Sequence, residues 1–229
     1  MQEPPLIELK GERAYRITPS RYPTIDLYED VANADELEAV WAIESLTNDR
    51  LNEAAGDLSL VPKEDWLVGL NGSSYVMAAF THINPEGARF TTGDFGGYYC
   101  APLLDTAIKE TVYHQERMFG YTNEPAQKVQ MRVLYTEFNA NLVDITSAEF
   151  LSTPLYHATN YGQSQAFAQE QKTKGIDGIH YRSVRHSGHN CHVLYRPRLV
   201  TKIHQAQHLE YHWNGSAIAN VLEIKLYGE

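Results

Sequence analysis

Between residues 129 and 138 the chain alternates: Val129, Met131, Val133 and Tyr135 fall on one side, Gln130, Arg132, Leu134 and Thr136 on the other. Successive side chains of a strand point to opposite faces, so this stretch reads as a strand with one buried and one wetter face. An apolar strand face has to be covered by a second layer, and the rest of the chain offers the material for one. Short extended pieces occur at 14–18, 66–70, 74–81, 179–184, 191–196, 209–213 and 220–227. Asn71-Gly72 and Asn214-Gly215 are hairpin signals lying between pairs of these pieces. Strands outnumber helices and hairpins recur, which predicts an α+β fold with mainly antiparallel sheets and flanking helices.

Three segments carry helical spacing instead. Asn33 followed by Glu36 forms a capping box, and Leu37, Val40 and Trp41 continue it, predicting a helix over 34–51. Leu104, Ala107, Ile108, Val112 and Met118 fit one buried face of a helix over 103–118. A third helix is expected over 160–174, stopped at Gly175. Residues 1–12 are polar and contain proline, so they read as a loose arm, and 204–229 reads as a closing hairpin. At 229 residues the chain fits a single domain over 1–229.

Charge and cysteine content narrow the partners. A formal net charge of -10 argues against direct nucleic-acid binding and against an anionic membrane surface. The opening Met-Gln-Glu-Pro-Pro-Leu-Ile-Glu lacks the basic and apolar regions of a signal peptide, and no run approaches the ~18 apolar residues of a span. The two cysteines, Cys100 and Cys191, are too few for a disulfide framework and read as buried, inert thiols. The expectation is a soluble cytoplasmic protein.

Chemistry concentrates in residues 87–118. Arg89 sits in a short extended piece, Gly93, Gly96 and Gly97 form a loop, Tyr98 and Tyr99 follow, and the next helix carries Glu110. Glycines let a backbone turn sharply and approach a ligand. A cation, an aromatic face and a carboxylate around such a loop suit a charged, ring-bearing substrate. Tyr98 and Tyr99 point to opposite faces of a strand, so one is core, and the spacing to Glu110 favours Tyr99 for the site. His114 lies one helical turn beyond Glu110. Ser183, beside Arg182 and Arg185, lacks the Gly-x-Ser-x-Gly elbow of a covalent catalyst and reads as a hydrogen-bonding group. The histidines at 186, 189 and 192 and at 204, 208 and 212 suggest metal ligands only if helical. In a strand, residues four apart lie about 13 Å from each other, so no metal is expected.

The order of these residues resembles the RES domain. The likeness rests on Arg89, Tyr99-Cys100-Ala101, Thr106-Ala107 and Glu110 eleven residues after the Tyr. Tyr15-Arg16-Ile17 precedes them, and 178–185, Asn190 and Tyr195-Arg196-Pro197 follow, so the likeness spans roughly 13–200. Phe90 stands where many members carry Trp, Arg182 where many carry Pro, and the 34–51 helix is an insertion relative to compact members.

The resemblance implies a fold like that of ADP-ribosyltransferases and a bacterial toxin that consumes NAD. The bond from nicotinamide to ribose would be cleaved by hydrolysis, by phosphorolysis or by ADP-ribosyl transfer to a protein. It implies Glu110, Arg89 and Tyr99 as catalytic residues and Arg16, Arg89, Tyr99 and Ser183 as NAD contacts. NAD is then the substrate, with no further cofactor required, and the partner is a cognate Xre-type antitoxin protein. The alternative is a non-catalytic nucleotide- or partner-binding protein on a degenerate RES scaffold.

Overall fold

Described residues are 3–21, 27–44 and 55–225 of a computed structural model. Its spine is β3, Gln127–Asp144, eighteen residues long. The alternation seen in the sequence is its first half, where Met131 and Val133 are buried in one core. In its second half the buried parity switches, and Leu134, Phe138, Ala140 and Leu142 enter a second core on the opposite face. One strand thus serves two cores, and the wetter face changes sides midway.

Two partners flank β3 along its middle. β1, Leu6–Pro19, runs antiparallel to it from Leu6 opposite Val143 to Pro19 opposite Met131. Residues 6–12, expected as a loose arm, are therefore strand. Leu6, Ile7 and Leu9 are mixed with Glu8, Lys10 and Glu12 there; Ile7 and Leu9 pack against the core of Leu134 and Phe138, and Asn139 Oδ1 accepts from Gly11 N at 2.7 Å across a register shift. On the other edge β3 pairs antiparallel with β6, Val200–Trp213. Beyond Phe138 that edge passes to β4, Gly178–Arg182, the one parallel pairing among the described strands. β5, Asn190–Leu194, pairs antiparallel with β4, and β2, Tyr98–Cys100, with β5.

Tyr15 and Ala101 then exchange two backbone hydrogen bonds of 2.7 and 2.9 Å, joining β1 to β2. The sheet closes into a ring β1-β3-β4-β5-β2. β6 and β7, Ile218–Ile224, leave the ring as a two-stranded wing. Asn214 Oδ1 accepts from Ser216 N and Ala217 N at 2.9 Å, making the turn the sequence signalled. Residues 226–229 of the expected hairpin lie outside the described residues.

Helices cover both cores. α1, Ala34–Glu44, starts as expected: Asn33 Oδ1 accepts from Glu36 N at 2.9 Å, and Glu36 Oε2 reaches back to Ala32 N at 2.7 Å. Residues 45–51 of the predicted helix lie outside the described residues. α2, Ser73–Thr81, replaces the expected return strand of a hairpin, and residues 66–68 form no strand. Gly72 takes φ 88° ahead of it, and the Glu29 carboxylate accepts from Ser74 N at 2.8 Å and Ser74 Oγ at 2.5 Å. Val76, Met77 and Phe80 then pack with α1 residue Leu37 into the core above Leu134 and Phe138.

The other core, that of Met131 and Val133, lies beneath α3, Leu104–Thr122, α4, Ala148–Leu151, and α5, Gly162–Thr173. The architecture is α+β with a mostly antiparallel sheet, as the sequence predicts. Among the described residues no helix is long and apolar enough to cross a membrane.

Candidate functional site

The bridge between β1 and β2 sets the position of Arg16. Its Nη1 donates to the Tyr99 carbonyl at 3.0 Å, and its guanidinium lies 4.9 Å from the centre of the Tyr98 ring. Loss of water around it lowers its pKa, offset in part by Tyr98 and Cys100. Tyr98 is fully buried with its hydroxyl 2.6 Å from Thr136 Oγ1, whereas the Tyr99 ring faces a cavity, so strand parity divides the two as expected.

That cavity has a volume of about 280 Å³ and lies between β1, β2, β5 and α3. Arg16, Arg89, Tyr99 and Glu110 all line it. Tyr99 is also a strut: its hydroxyl accepts from Phe90 N at 2.9 Å and meets Thr91 Oγ1 at 3.2 Å, and burial pushes the phenol up to about 12. Arg89 is only 8% exposed. Its Nη1 donates to the carbonyls of Leu155 at 3.2 Å and His157 at 2.8 Å, and it stacks 4.7 Å from the Tyr161 ring centre. Part of the guanidinium fork expected to hold an anion is therefore already engaged in fixing 155–161.

Glu110 and Ser183 meet directly. Ser183 Oγ donates to Glu110 Oε1 at 2.5 Å. Ser183 Oγ in turn accepts from His186 N at 2.8 Å and Arg185 N at 3.2 Å. Two backbone donors fill its lone pairs, so its proton is directed at the carboxylate. Ser183 is 5% exposed and stands behind Glu110 rather than in the cavity wall. Ser183, expected as a substrate contact, is placed against Glu110.

The glycines also do something other than expected. A Cβ on Gly96 would collide with the Ala79 carbonyl and the Phe80 backbone, so Gly96 lets the loop sit down on α2. The loop is compact because it packs on protein.

Three wall residues were not picked out as ligand contacts from sequence. Arg185 lies 3.4 Å from the Tyr113 ring centre and donates through Nη2 to the Ala158 carbonyl. Tyr161 comes from the turn before α5, and His114 stands four residues beyond Glu110 on α3. Loss of water lowers the His114 pKa; Glu110 raises it, and Arg185, Arg117 and Arg89 lower it. The spacing to Glu110 was the one sequence signal for His114. Arg185 carried only its place beside Ser183 in the 178–185 stretch, and Tyr161 carried none, since tertiary structure alone brings it to the cavity.

Both cysteines are free and buried. Burial pushes the Cys100 thiol up to about 12 and the Cys191 thiol further, although Cys191 lines the cavity with Sγ 3.9 Å from Glu110 Oε1. His204, His208 and His212 lie along β6, and His192 is buried in β5 away from His186 and His189. Among the described residues no group of three or more His, Cys, Asp or Glu is placed to hold a metal ion.

Comparison with known proteins adds three findings. The chain is similar in structure to a chain of the M. tuberculosis MbcT-MbcA toxin-antitoxin complex, with a TM-score of 0.46 and 10% identity over 92% of this chain and 87% of that one. It is 28% identical over 207 residues to the uncharacterized protein y4oC of Sinorhizobium fredii (strain NBRC 101917 / NGR234), covering 90% of this chain and 84% of the relative. The sequence model of the RES domain matches residues 65–214, a span that takes in Arg89, Tyr99, Glu110 and Ser183 and more than half of the chain. This protein belongs to the RES domain family.

Proposed function

We propose that this protein is a toxin enzyme of a bacterial toxin–antitoxin pair that cleaves the nicotinamide–ribose bond of NAD. One observation carries the reading: among the described residues the cavity wall is lined by Arg16, Arg89 and Arg185 and by a single carboxylate, Glu110, fixed by Ser183. In a chain of net charge -10 this is a local excess of positive charge, suited to a phosphate-bearing ligand. Glu110 is the group of opposite sign, suited to the positive charge that develops on ribose as nicotinamide leaves. Tyr99 and Tyr161 offer ring faces for packing.

In this mechanism Arg16 and Arg185 hold the anionic part of the substrate. Arg89 acts at one remove, by holding Tyr161 and the 155–157 backbone against the cavity. Glu110, oriented by the Ser183 hydroxyl, stabilises the oxocarbenium-like ribose and its acceptor. The family membership also favours a cognate antitoxin of the Xre type as partner.

The test is direct. Purified protein, freed of antitoxin, is incubated with NAD and free nicotinamide is followed, with and without phosphate. Release is expected, and Glu110→Gln should lower it by roughly 100-fold, the usual cost of one preorganised polar group. Wild-type turnover in Glu110→Gln would remove the assignment. Release that depends on phosphate identifies phosphorolysis, and release without it identifies hydrolysis.

A further inference from the structure

His114 marks the mouth of the Glu110 cavity. Among the described residues that line the cavity it alone is exposed; the others are buried or half-buried. Glu110 stands further in, with Oε1 against Ser183 and near Cys191, both buried. The two side chains are four residues apart on α3, so they are neighbours on one helix face, about 5–6 Å between Cβ atoms. An acceptor arriving from solvent meets His114 before it reaches a ribose held at Glu110.

Cleavage with an O–H acceptor leaves a proton to be taken up. As the acceptor oxygen bonds to ribose C1′, the bond from C1′ to nicotinamide breaks with its electron pair going to the nicotinamide nitrogen. Glu110 is poorly placed to take the acceptor's proton. It already receives the Ser183 proton at 2.5 Å, and protonation would remove its negative charge just as the ribose becomes positive. His114 carries no such load. Glu110, Tyr113 and Arg117 surround it from α3, and Arg89, Tyr161 and Arg185 from other segments. Loss of water lowers its pKa, as do Arg185, Arg117 and Arg89, against the pull of Glu110, so the imidazole is neutral at pH 7 and has a nitrogen free to accept a proton.

We propose that His114 is the general base of the reaction, accepting the proton of a water or hydroxyl acceptor at the cavity mouth while that oxygen bonds to ribose C1′. This rests on the NAD reading above and adds the residue that activates the acceptor. The imidazolium that forms lies beside the Glu110 carboxylate, a charge of opposite sign. Its exposed edge then returns the proton to solvent. Phosphate needs no such help, because its dianion attacks through an oxygen that carries no proton. His114 thus decides which class of acceptor the enzyme can use.

The experiment follows nicotinamide release from NAD, with water alone and with added phosphate as acceptor, in the wild type and in His114→Gln. Release in water is expected to fall roughly 100-fold in the variant, the contribution of a positioned base, with KM for NAD within about twofold. The phosphate-dependent part should stay within about threefold of the wild type. Wild-type kcat in water should decline below about pH 6 as the imidazole becomes protonated, and His114→Gln should lack that decline. Added imidazole should restore part of the rate to His114→Ala, since the site opens to solvent. Unchanged release in water by His114→Gln overturns the proposal. So does an equal loss with water and with phosphate, the mark of a structural or binding role, and so does a wild type that turns over only with phosphate. If the wild type releases nicotinamide with neither acceptor, the NAD reading falls and takes this role with it. Release that persists in His114→Gln removes the role of His114 alone.

Discussion

The Ser183 hydroxyl accepts two backbone N–H groups and gives its proton to Glu110, which leaves it no rotational choice. It is a positioning residue: the carboxylate it holds is the group facing the cavity. Ser183→Ala is expected to lower kcat for nicotinamide release by about tenfold or more, with KM for NAD changed less than twofold, because the lost hydrogen bond orients Glu110 without gripping substrate. A rise in KM at unchanged kcat would instead make Ser183 a binding contact. The same scale explains Arg89. Its sequence context suggested an anion clamp, but a guanidinium that is 8% exposed must find acceptors, and the carbonyls of Leu155 and His157 supply them.

At the scale of elements, α2 forms where the sequence suggested a hairpin. Asn71-Gly72 is compatible with either, since Gly72 at φ 88° can open a turn or precede a helix. Glu29 favours the helix: it sits forty-five residues before Ser74 and accepts from that residue's backbone N–H and hydroxyl in the first turn. Glu29→Ala should lower stability by roughly 1–2 kcal/mol, as loss of a helix cap does, and a urea midpoint shift at unchanged slope measures it. α3 needed no such help. Its apolar stripe predicted a helix over 103–118, and Leu104–Thr122 forms, ending where Asn123 adopts φ 50°.

At the scale of the whole molecule, the antiparallel pairing of β4 with β5 inside the ring places two histidines opposite each other. His180 Nδ1 and His192 Nδ1 are 3.0 Å apart, their rings stack at 4.8 Å, and His192 is 1% exposed. Loss of water, then His192, pushes His180 down to about 4. The folded protein therefore keeps His180 neutral where an unfolded chain, with an imidazole near 6.5, takes up a proton. Stability is full above about pH 6.5 and falls as pH drops toward 4, by at most about 3 kcal/mol. Urea unfolding at pH 7, 5.5 and 4 tests this, and His180→Gln should flatten the decline. Unchanged pH dependence in that variant would place the acid sensitivity elsewhere.

What the sequence determined by itself was everything whose partners lie within a few residues. The Asn33–Glu36 cap, the stripe of α3, the Asn214 turn between β6 and β7, and the division of Tyr98 from Tyr99 follow from periods of 3.6 and 2 and from turn chemistry. The order of Arg89, Tyr99, Glu110 and Ser183 was legible too, through its family pattern. Tertiary structure alone decided the rest. Residues 6–12 are strand because β3 offers them an edge, α2 is helix with Ser74 of its first turn held by Glu29, and Arg185 and Tyr161 reach the cavity from far along the chain. The physical reason is common to all of these. A local pattern records which face of an element is apolar, whereas an edge to pair with, a remote cap or a shared cavity exists only once distant segments have met.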